Sequence, residues 1–252
     1  MKSVFAFFLI FALATNGAAQ SKTVERYSYF STGLKQIKES ANFGLVFNGP
    51  NLNYGHYWSS TKNNKTFFLE NEIGVCIPFS KGIPALNIYL KPVETGYLFN
   101  RKSATNFAVG PLFKIEYDYT LYPQLQSAFD YWFTNFSLGV NAAYNFTIGK
   151  QTLNTRLKSS LLGFTSRQPD YRNPYWYDIG FKYAIKHLNS DLEFSSLNKY
   201  NTTDFELSWK TNPDSRIILA YCFSYSGYYE APPVSTINHH IKLIINPKNK
   251  KR

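Results

Sequence analysis

Apolar and polar side chains alternate along most of this chain with a period of two. In residues 106–122, the alternating set that starts at Phe107 is apolar or aromatic, and the set that starts at Ala108 is small or charged. Residues 131–148 repeat this division. Strict alternation predicts β-strands, but strands of soluble domains usually contain about 5–6 residues. Strands that cross a bilayer need about 9–11 residues and extend past the interface, which fits these lengths better.

The alternation begins at residue 42 and continues to the C-terminal tail. It predicts strands over 42–48, 51–60, 65–80, 84–100, 105–122, 129–148, 151–166, 175–188, 190–198, 202–211, 215–229 and 234–246. The alternative is ten strands, with 42–60 as one kinked strand and 190–211 as a loop excursion. The predicted fold is all-β, a transmembrane antiparallel up-and-down β-barrel of about 12 strands (10 in the alternative) over residues 42–246.

The two ends of the chain differ in composition from this region. Residues 1–19 have the features of a secretory signal peptide: Lys2, an apolar core over 4–14 and small residues before a cleavage site near Ala19–Gln20. Residues 20–41 are polar with scattered apolar positions, which predicts a short periplasmic N-terminal segment. Residues 247–252 form a basic tail that we assign to the periplasm.

Alternation alone does not tell which face of a barrel points outward. The polar face is rich in small residues such as Gly74, Ala108 and Gly139, which suits the crowded interior of a narrow barrel. The apolar face carries bulky rings, and aromatic residues gather at the segment ends, where interfacial girdles form. We therefore expect the apolar face to contact lipid and the charged face to line the lumen.

Composition excludes several classes of protein. Beyond the first twenty residues there is no apolar run of about 18 residues, and mean hydropathy is −0.30, so a helical membrane protein is excluded. The net charge of +11 is spread over turns, strands and the tail, which argues against a nucleic-acid partner. No metal-binding or CxxC spacing occurs and we expect no cofactor; whether Cys76 and Cys222 pair is left open.

Ionisable residues fall on the predicted inner face. The predicted lumen-lining residues are Glu70, Glu72, Lys91, Glu94, Lys114, Glu116, Asp118, Arg156, Lys158, Asp178, Lys182, Lys186 and Glu206. One interpretation is a plug of ion pairs that satisfies buried charge. The other is a narrow polar channel that selects small solutes by charge and size.

Two further sites are predicted from residue type. His240, Ser224 and Ser226 face the lumen on neighbouring predicted strands and would be the catalytic group of a lipid hydrolase, since a Ser–His pair can perform acyl transfer. The external loop 167–177 combines arginines with rings, the composition of binding hot spots. Its candidate recognition residues are Arg167, Tyr171, Arg172, Tyr175 and Trp176.

In length, strand number and signal peptide the chain resembles the bacterial outer-membrane β-barrels, a group that includes porin-like solute channels and the outer-membrane phospholipase. The resemblance implies a location in the Gram-negative outer membrane, with outer-membrane lipid, lipopolysaccharide and other envelope proteins as partners. The His-x-Ser element of the phospholipase family is missing: His56, for example, is followed by Tyr57 and Trp58.

Three functions remain open at this point. The first is a non-enzymatic outer-membrane barrel that acts as a small-solute channel or as a structural partner in an envelope complex. The alternatives are a lipid hydrolase in the same membrane and a soluble exported β-barrel that binds an apolar ligand.

Overall fold

The strands of this protein pair into one continuous antiparallel sheet. The computed structural model describes residues 23–40, 44–100, 106–124, 130–149, 151–167, 188–189, 191–210, 217–230 and 233–245. The strands are β1 (Thr23–Glu39), β2 (Val46–Lys62), β3 (Lys65–Cys76), β4 (Phe79–Ser80), β5 (Ile83–Pro84), β6 (Leu86–Asn100), β7 (Phe107–Leu121), β8 (Asp130–Ile148), β9 (Gln151–Arg167), β10 (Glu193–Ser196), β11 (Tyr200–Lys210), β12 (Ile217–Tyr228) and β13 (Val234–Ile245). Among these residues no helix has the length and apolar character of a membrane span.

The sheet closes into a barrel because β1 has a partner on each side. It pairs with β2 from Thr23↔Thr61 to Lys38↔Val46, and with β13 from Ser28↔Ile245 to Glu39↔Val234. The closed wall has ten strands, in the order β1, β13, β12, β11, β9, β8, β7, β6, β3, β2. The predicted all-β antiparallel barrel is confirmed, with the smaller of the two strand counts.

Three short strands lie beside this ten-stranded wall. The hairpin β4–β5 joins β2 through the pair Asn48↔Phe79. Strand β10 pairs with β9 from Glu193↔Thr165 to Ser196↔Leu162, beyond the end of the β9–β11 ladder at Thr203↔Ser159. The β10 and β11 segments therefore cover consecutive parts of the same β9 edge.

The sequence prediction was wrong about residues 23–39, which it assigned to a polar segment before the barrel. They form β1, a full wall strand. Its inward positions include Ser31, Gly33, Lys35 and Glu39, which are polar or small because they face a polar lumen. With a polar inner face and few bulky outward residues, the strand shows little hydrophobic periodicity in the sequence.

Two other parts of the twelve-strand prediction differ from the structure. That prediction separated residues 42–48 from 51–60, whereas Gly49 and Pro50 lie inside the continuous strand β2, as the ten-strand alternative expected. The predicted strand 190–198 is reduced to β10, and predicted strand 175–188 falls almost entirely outside the described residues. The predicted signal peptide and basic tail also lie outside them.

The connection between β2 and β3 is a two-residue turn at Asn63 and Asn64. Both have positive φ, 51° and 59°. This backbone matches the twist of antiparallel strands, and asparagine tolerates it better than most residues. The turn fixes the pair Lys62↔Lys65 and so the register of the whole β2–β3 ladder.

The two faces of the wall have opposite chemistry, as the alternation predicts. Phe113, Ile115 and Tyr117 lie on the outer face of β7, whereas Lys114 and Glu116 point into the barrel. Every one of the ten wall strands carries at least one exposed large hydrophobic side chain. The barrel therefore has an apolar exterior and a charged interior.

Candidate functional site

The interior of the barrel holds most of the buried charge of the described chain. Glu94 is 0% exposed and Lys114 is 1% exposed, although both are ionisable, whereas Leu138 on the outer wall is 52% exposed. A buried charge is tolerated only when it is paired and hydrogen-bonded. The interior must therefore be described as a set of charge pairs.

Six side chains at mid-height form what we call the central network. They are Glu70, Lys91, Glu94, Lys158, Glu206 and Lys242. Lys158 on β9 contacts Glu70 on β3 at 3.2 Å and is also hydrogen-bonded to Glu94 on β6. Because these strands lie on different sides of the wall, the lysine bridges the lumen.

The remaining cations of the central network complete this bridge. Lys91 Nζ lies 3.1 Å from Glu94 Oε2, and Lys242 Nζ lies 2.7 Å from Glu206 Oε2 and 3.5 Å from Glu70 Oε1. Each lysine thus has a carboxylate partner, and the network spans the lumen beside the larger cavity. Five members of the central network are less than one-tenth exposed. The exception is Glu206, whose side chain is 18% exposed.

Tyr29 joins the first strand to the central network. Its hydroxyl lies 2.6 Å from Glu70 Oε1 and 2.6 Å from Glu72 Oε2. The ammonium of Lys242 lies 4.2 Å from the centre of its ring. The tyrosine is 0% exposed, so β1 contributes both packing and hydrogen bonding at the centre of the lumen.

A second group of pairs lies beside the central network, on the side away from the chain termini. Lys35 on β1 reaches Asp118 on β7 at 2.8 Å and Asn87 on β6 at 2.6 Å. Lys114 contacts Glu116 at 3.0 Å and Asp204 at 3.1 Å. The contacts of Lys35 with Asp118 and Asn87, and of Lys114 with Asp204, again join strands that are not neighbours in the wall.

Rings and one guanidinium fill the lumen at the end that carries the chain termini. The rings of Tyr27 and Tyr57 stack with their centres 4.7 Å apart. The ring of Phe68 stacks on Tyr57, with 6.3 Å between the ring centres. The guanidinium of Arg156 lies 3.9 Å from the centre of the Phe68 ring, and its Nε donates to Asn141 at 2.9 Å. We call the packed rings of Tyr27, Tyr57 and Phe68 at this end the aromatic layer.

Arg167 and Glu39 form an ion pair near the opposite end of the lumen. Their side chains are 6% and 4% exposed, and the guanidinium lies 5.3 Å from the centre of Tyr228 and 5.9 Å from that of Tyr131. Arg167 was predicted to belong to an external recognition loop, and this was wrong. It is the last residue of β9 and points inward because the strand extends further than the alternation indicated.

Cavities remain inside the lumen, within the residues that the structure describes. The larger of two, of about 100 Å³, is bordered by Lys35, Asp118 and His240, and toward the termini also by Lys158, Lys242 and Arg156. The smaller, of about 40 Å³, lies next to Arg167 and Tyr131. Asp118, Ser226 and Thr236 border both, so the two cavities adjoin in the half of the lumen away from the termini.

The structure brings most of the predicted lumen-lining residues together. Those that face the lumen are Glu70, Glu72, Lys91, Glu94, Lys114, Glu116, Asp118, Arg156, Lys158 and Glu206. Asp178, Lys182 and Lys186 lie outside the described residues, as do Tyr171, Arg172, Tyr175 and Trp176 of the predicted recognition loop.

Sequence reasoning missed Lys35, Tyr29 and Lys242, each of which pairs inside the lumen. The first two were overlooked with β1 itself. Lys242 stands between Ile241 and Leu243 in the last strand, and this alternation was a usable signal for an inward lysine. An isolated lysine between two apolar residues is therefore as informative as a run of charges.

The predicted catalytic group does not assemble. His240, Ser224 and Ser226 all border the larger cavity. However, His240 lies opposite Cys222, and Ser224 lies opposite Asn238. Across the described ranges no hydrogen bond joins His240 to either serine, and its Nδ1 has no protein partner. The cavity therefore contains an unpaired histidine nitrogen rather than an activated nucleophile.

The two cysteines are not joined. Cys76 and Cys222 are free and buried, and their thiols face Gly49 O at 3.6 Å and Glu206 Oε2 at 3.7 Å. Within the part of the chain that the structure describes, no group of three or more His, Cys, Asp or Glu side chains could hold a metal ion.

Comparison with known proteins finds similar solved structures but no related sequence. No protein-family model matches the sequence, and no curated protein matches it either. The chain is similar to the translocator domain of autotransporter NalP from Neisseria meningitidis (11% identity, TM-score 0.44, 97% of this chain and 94% of that chain). It is also similar to the beta domain of the Bordetella autotransporter BrkA (7%, 0.45, 88% and 98%) and to Neisserial surface protein A (9%, 0.36, 90% and 100%). Because these TM-scores are below 0.5, we argue function from the chain's own geometry.

Proposed function

We propose that this protein is an integral β-barrel of a bacterial outer membrane, with an interior sealed by charge pairs. In this proposal it acts through its surfaces as a structural partner in the envelope, and it is not an open pore. The observation that carries the proposal is the apolar wall around a charged and paired interior.

The outer wall supports the membrane part of the proposal. Exposed residues such as Leu34, Ile73, Leu138 and Ile241 are distributed around all sides of the barrel. Monomeric soluble proteins rarely expose contiguous apolar patches larger than a few hundred Å², whereas burial of each such side chain in an apolar phase is worth about 1.5–3 kcal/mol. A closed barrel also leaves no unpaired strand edge in lipid.

The interior supports the sealed part of the proposal. The central network crosses the lumen between β9, β3 and β6, and the Tyr27–Tyr57–Phe68 rings close the end near the termini. An open channel needs continuous wetted space, but Glu94 and Lys114 are almost inaccessible. Outer-membrane lipid, lipopolysaccharide and other envelope proteins would then meet the protein at its wall and loops.

Cell fractionation and bilayer recording test this proposal together. The full chain should be recovered from outer-membrane fractions, and it should migrate differently on electrophoresis before and after boiling, because a closed barrel resists unfolding by detergent. Inserted into planar bilayers of phosphatidylethanolamine and phosphatidylglycerol, it should give no unit conductance. Recovery as a soluble protein, or a steady open channel, would contradict the proposal.

A small-solute channel is the second candidate, and the adjoining luminal cavities favour it. Polar space bordered by Asp118, Ser226 and Thr236 already occupies the half of the lumen away from the termini. Rearrangement of the central network and the aromatic layer would connect this space to the other end. Conductance of the wild-type chain that appears at high voltage would favour this function.

A further inference from the structure

A serine and a histidine are hydrogen-bonded on the outer wall of the barrel. Ser28 Oγ lies 2.9 Å from His56 Nδ1. The two residues are cross-strand partners on β1 and β2, and both point away from the lumen, since Tyr29 and Gly55 beside them point inward. With its proton on Nε2, the imidazole can accept the serine hydroxyl proton at Nδ1.

This pair lies on the face of the wall that is expected to contact lipid. A lipid-facing wall is expected to be apolar, and ionisable side chains there are rare and usually functional. Asn71, the partner of His56 on β3, extends the polar row to a third strand. The next outward-facing pair toward the membrane centre is Phe30 and Tyr54, whose ring centres lie 4.8 Å apart. A polar row across three strands thus lies next to a row of aromatic rings.

The aromatic rings on the other side of the pair indicate its depth. Trp58 contacts Phe67 at 5.6 Å, Phe67 contacts Tyr97 at 5.1 Å, and Tyr97 contacts Phe99 at 6.2 Å, which makes a continuous row of rings around three strands near the chain termini. Such a row marks the membrane–water interface. His56 is two residues from Trp58, roughly 6–7 Å along the strand toward the membrane centre. The acyl ester groups of phospholipids lie at about this depth, just inside the headgroups.

Arg26 supplies a charge at the same place. It is exposed on the outer face of β1, two residues from Ser28, and is the cross-strand partner of Trp58. It is therefore closer to the interface than the Ser28–His56 pair. A guanidinium at headgroup depth can pair with a lipid phosphate while the ester of that lipid reaches the serine.

We propose that Ser28 and His56 form an acyl-ester hydrolase site on the lipid-facing wall, whose substrate is a glycerophospholipid of the leaflet at the termini end. The proposal rests on the membrane location proposed above. It differs from the luminal group predicted from sequence, because neither His240 nor Ser224 takes part.

The chemistry requires water and the two side chains. Ser28 Oγ attacks the ester carbonyl carbon while His56 Nδ1 takes the hydroxyl proton. The carbon–oxygen bond to the glycerol then breaks, and the proton passes from His56 to the leaving alkoxide, which departs as a lysophospholipid. Water attacks the acyl-serine with His56 as base, and a fatty acid leaves as the serine proton is restored.

Acyl release from defined vesicles tests the site. The refolded full chain is inserted into vesicles of palmitoyl-oleoyl phosphatidylethanolamine and phosphatidylglycerol at about 3:1, and fatty acid and lysophospholipid are measured by mass spectrometry. We expect both products from the wild type, and a loss of at least about 100-fold in Ser28→Ala and His56→Gln, since a general base alone contributes about 10²–10⁴.

His239→Gln is the matched control. His239 also lies on the outer wall, but its Nδ1 is bonded to the Tyr221 hydroxyl at 2.7 Å rather than to a serine. Its activity should remain within about twofold of wild type, as should that of His240→Gln. Equal release by Ser28→Ala and the wild type would overturn the site, as would a loss confined to His240→Gln.

A covalent probe keeps the test independent of variants that fold poorly. A fluorophosphonate should label the wild-type chain at the peptide that contains Ser28, and labelling of another residue or of none would overturn the proposal. Heat-modifiable migration of the same sample reports insertion. A folded, inserted and inactive barrel would reject the hydrolase alone, whereas a chain that fails to insert into any vesicle would reject the membrane proposal.

Discussion

Lys35 Nζ and Asp118 Oδ2 lie 2.8 Å apart across the lumen, although 83 positions separate the two residues in the sequence. The contact joins the first strand of the wall to the opposite side of the barrel. It depends on β1 being part of the wall, which makes it the most direct reporter of the closed fold.

Replacement of Lys35 should therefore destabilise the barrel. In Lys35→Met the carboxylate of Asp118 and the amide oxygen of Asn87 lose the ammonium group that both contact. Loss of hydrogen bonds to a charged group costs about 1.5–3 kcal/mol, and the partial exposure of Asp118 favours the lower part of this range. Urea unfolding of the barrel in lipid vesicles measures the change.

Lys38→Met is the control for this experiment, because Lys38 lies on the same strand but is exposed on the outer side. Its free energy of unfolding should change by less than about 0.5 kcal/mol. Lys35→Met/Asp118→Leu should recover part of the loss, since an apolar pair can replace a buried ion pair at little cost. Equal effects of Lys35→Met and Lys38→Met would show that β1 is not a wall strand.

The central network should control both stability and leakage. Lys158→Met removes a cation that contacts both Glu70 and Glu94. Lys91 also contacts both, but its ammonium lies 3.9 Å from Glu70, so these buried carboxylates keep less compensation. Breaking a buried pair costs about 3–5 kcal/mol. Water should then enter the centre, and a cation-selective current should appear in planar bilayers.

Lys65→Met is the comparison for Lys158→Met, since Lys65 is exposed at the start of β3. It should unfold at the same urea concentration as the wild type and conduct no current. If Lys158→Met stays silent in the bilayer while losing stability, the aromatic layer around Phe68 is the tighter seal.

If the apolar wall contacts lipid, the loss of stability caused by an outward-facing arginine should depend on its depth in the membrane. Leu138 lies within β8, far from its ends, whereas Ile148 is the last residue of the same strand, and both are exposed on the outer side. Leu138→Arg should destabilise the barrel in vesicles by about 2–4 kcal/mol, and Ile148→Arg by about 0–1 kcal/mol. If both variants kept the stability of the parent and remained soluble without lipid, the wall would face water.

The backbone conformation of the turn between β2 and β3 should restrict which residues are tolerated there. Asn64 has φ of 59°, a region that β-branched residues rarely occupy. Asn64→Val should cost about 1–3 kcal/mol, whereas Asn64→Gly should change the free energy of unfolding by less than about 0.5 kcal/mol. Urea midpoints of the two variants measured side by side separate backbone strain from loss of the side chain.

Strand alternation predicted the barrel and its orientation because each face has a single chemistry. Lys114 and Glu116 were predicted to face the lumen on this ground alone, and they do. The same rule failed for β1, where the inner residues Ser31, Gly33 and Lys35 are small or polar and leave few apolar positions to alternate with. A strand that contributes more to the lumen than to the wall is difficult to detect in sequence.

The pairing inside the lumen could not be predicted in the same way. Alternation assigns a residue to a face, but the partner of Lys158 depends on which strands lie opposite each other, and this follows from the strand count. With twelve strands Glu70 and Lys158 would be further apart. The outer-wall contact of Ser28 with His56 was also missed, because Ser28 belonged to a segment that was not predicted to be a strand.

The β1–β13 ladder from Ser28↔Ile245 to Glu39↔Val234 joins the beginning of the chain to its end. Neither β1 nor β13 has its second neighbour until these two strands meet, so the ring closes only when the last strand is in place. A product that lacks β13 would leave unpaired backbone edges on β1 and β12, and such edges are templates for aggregation.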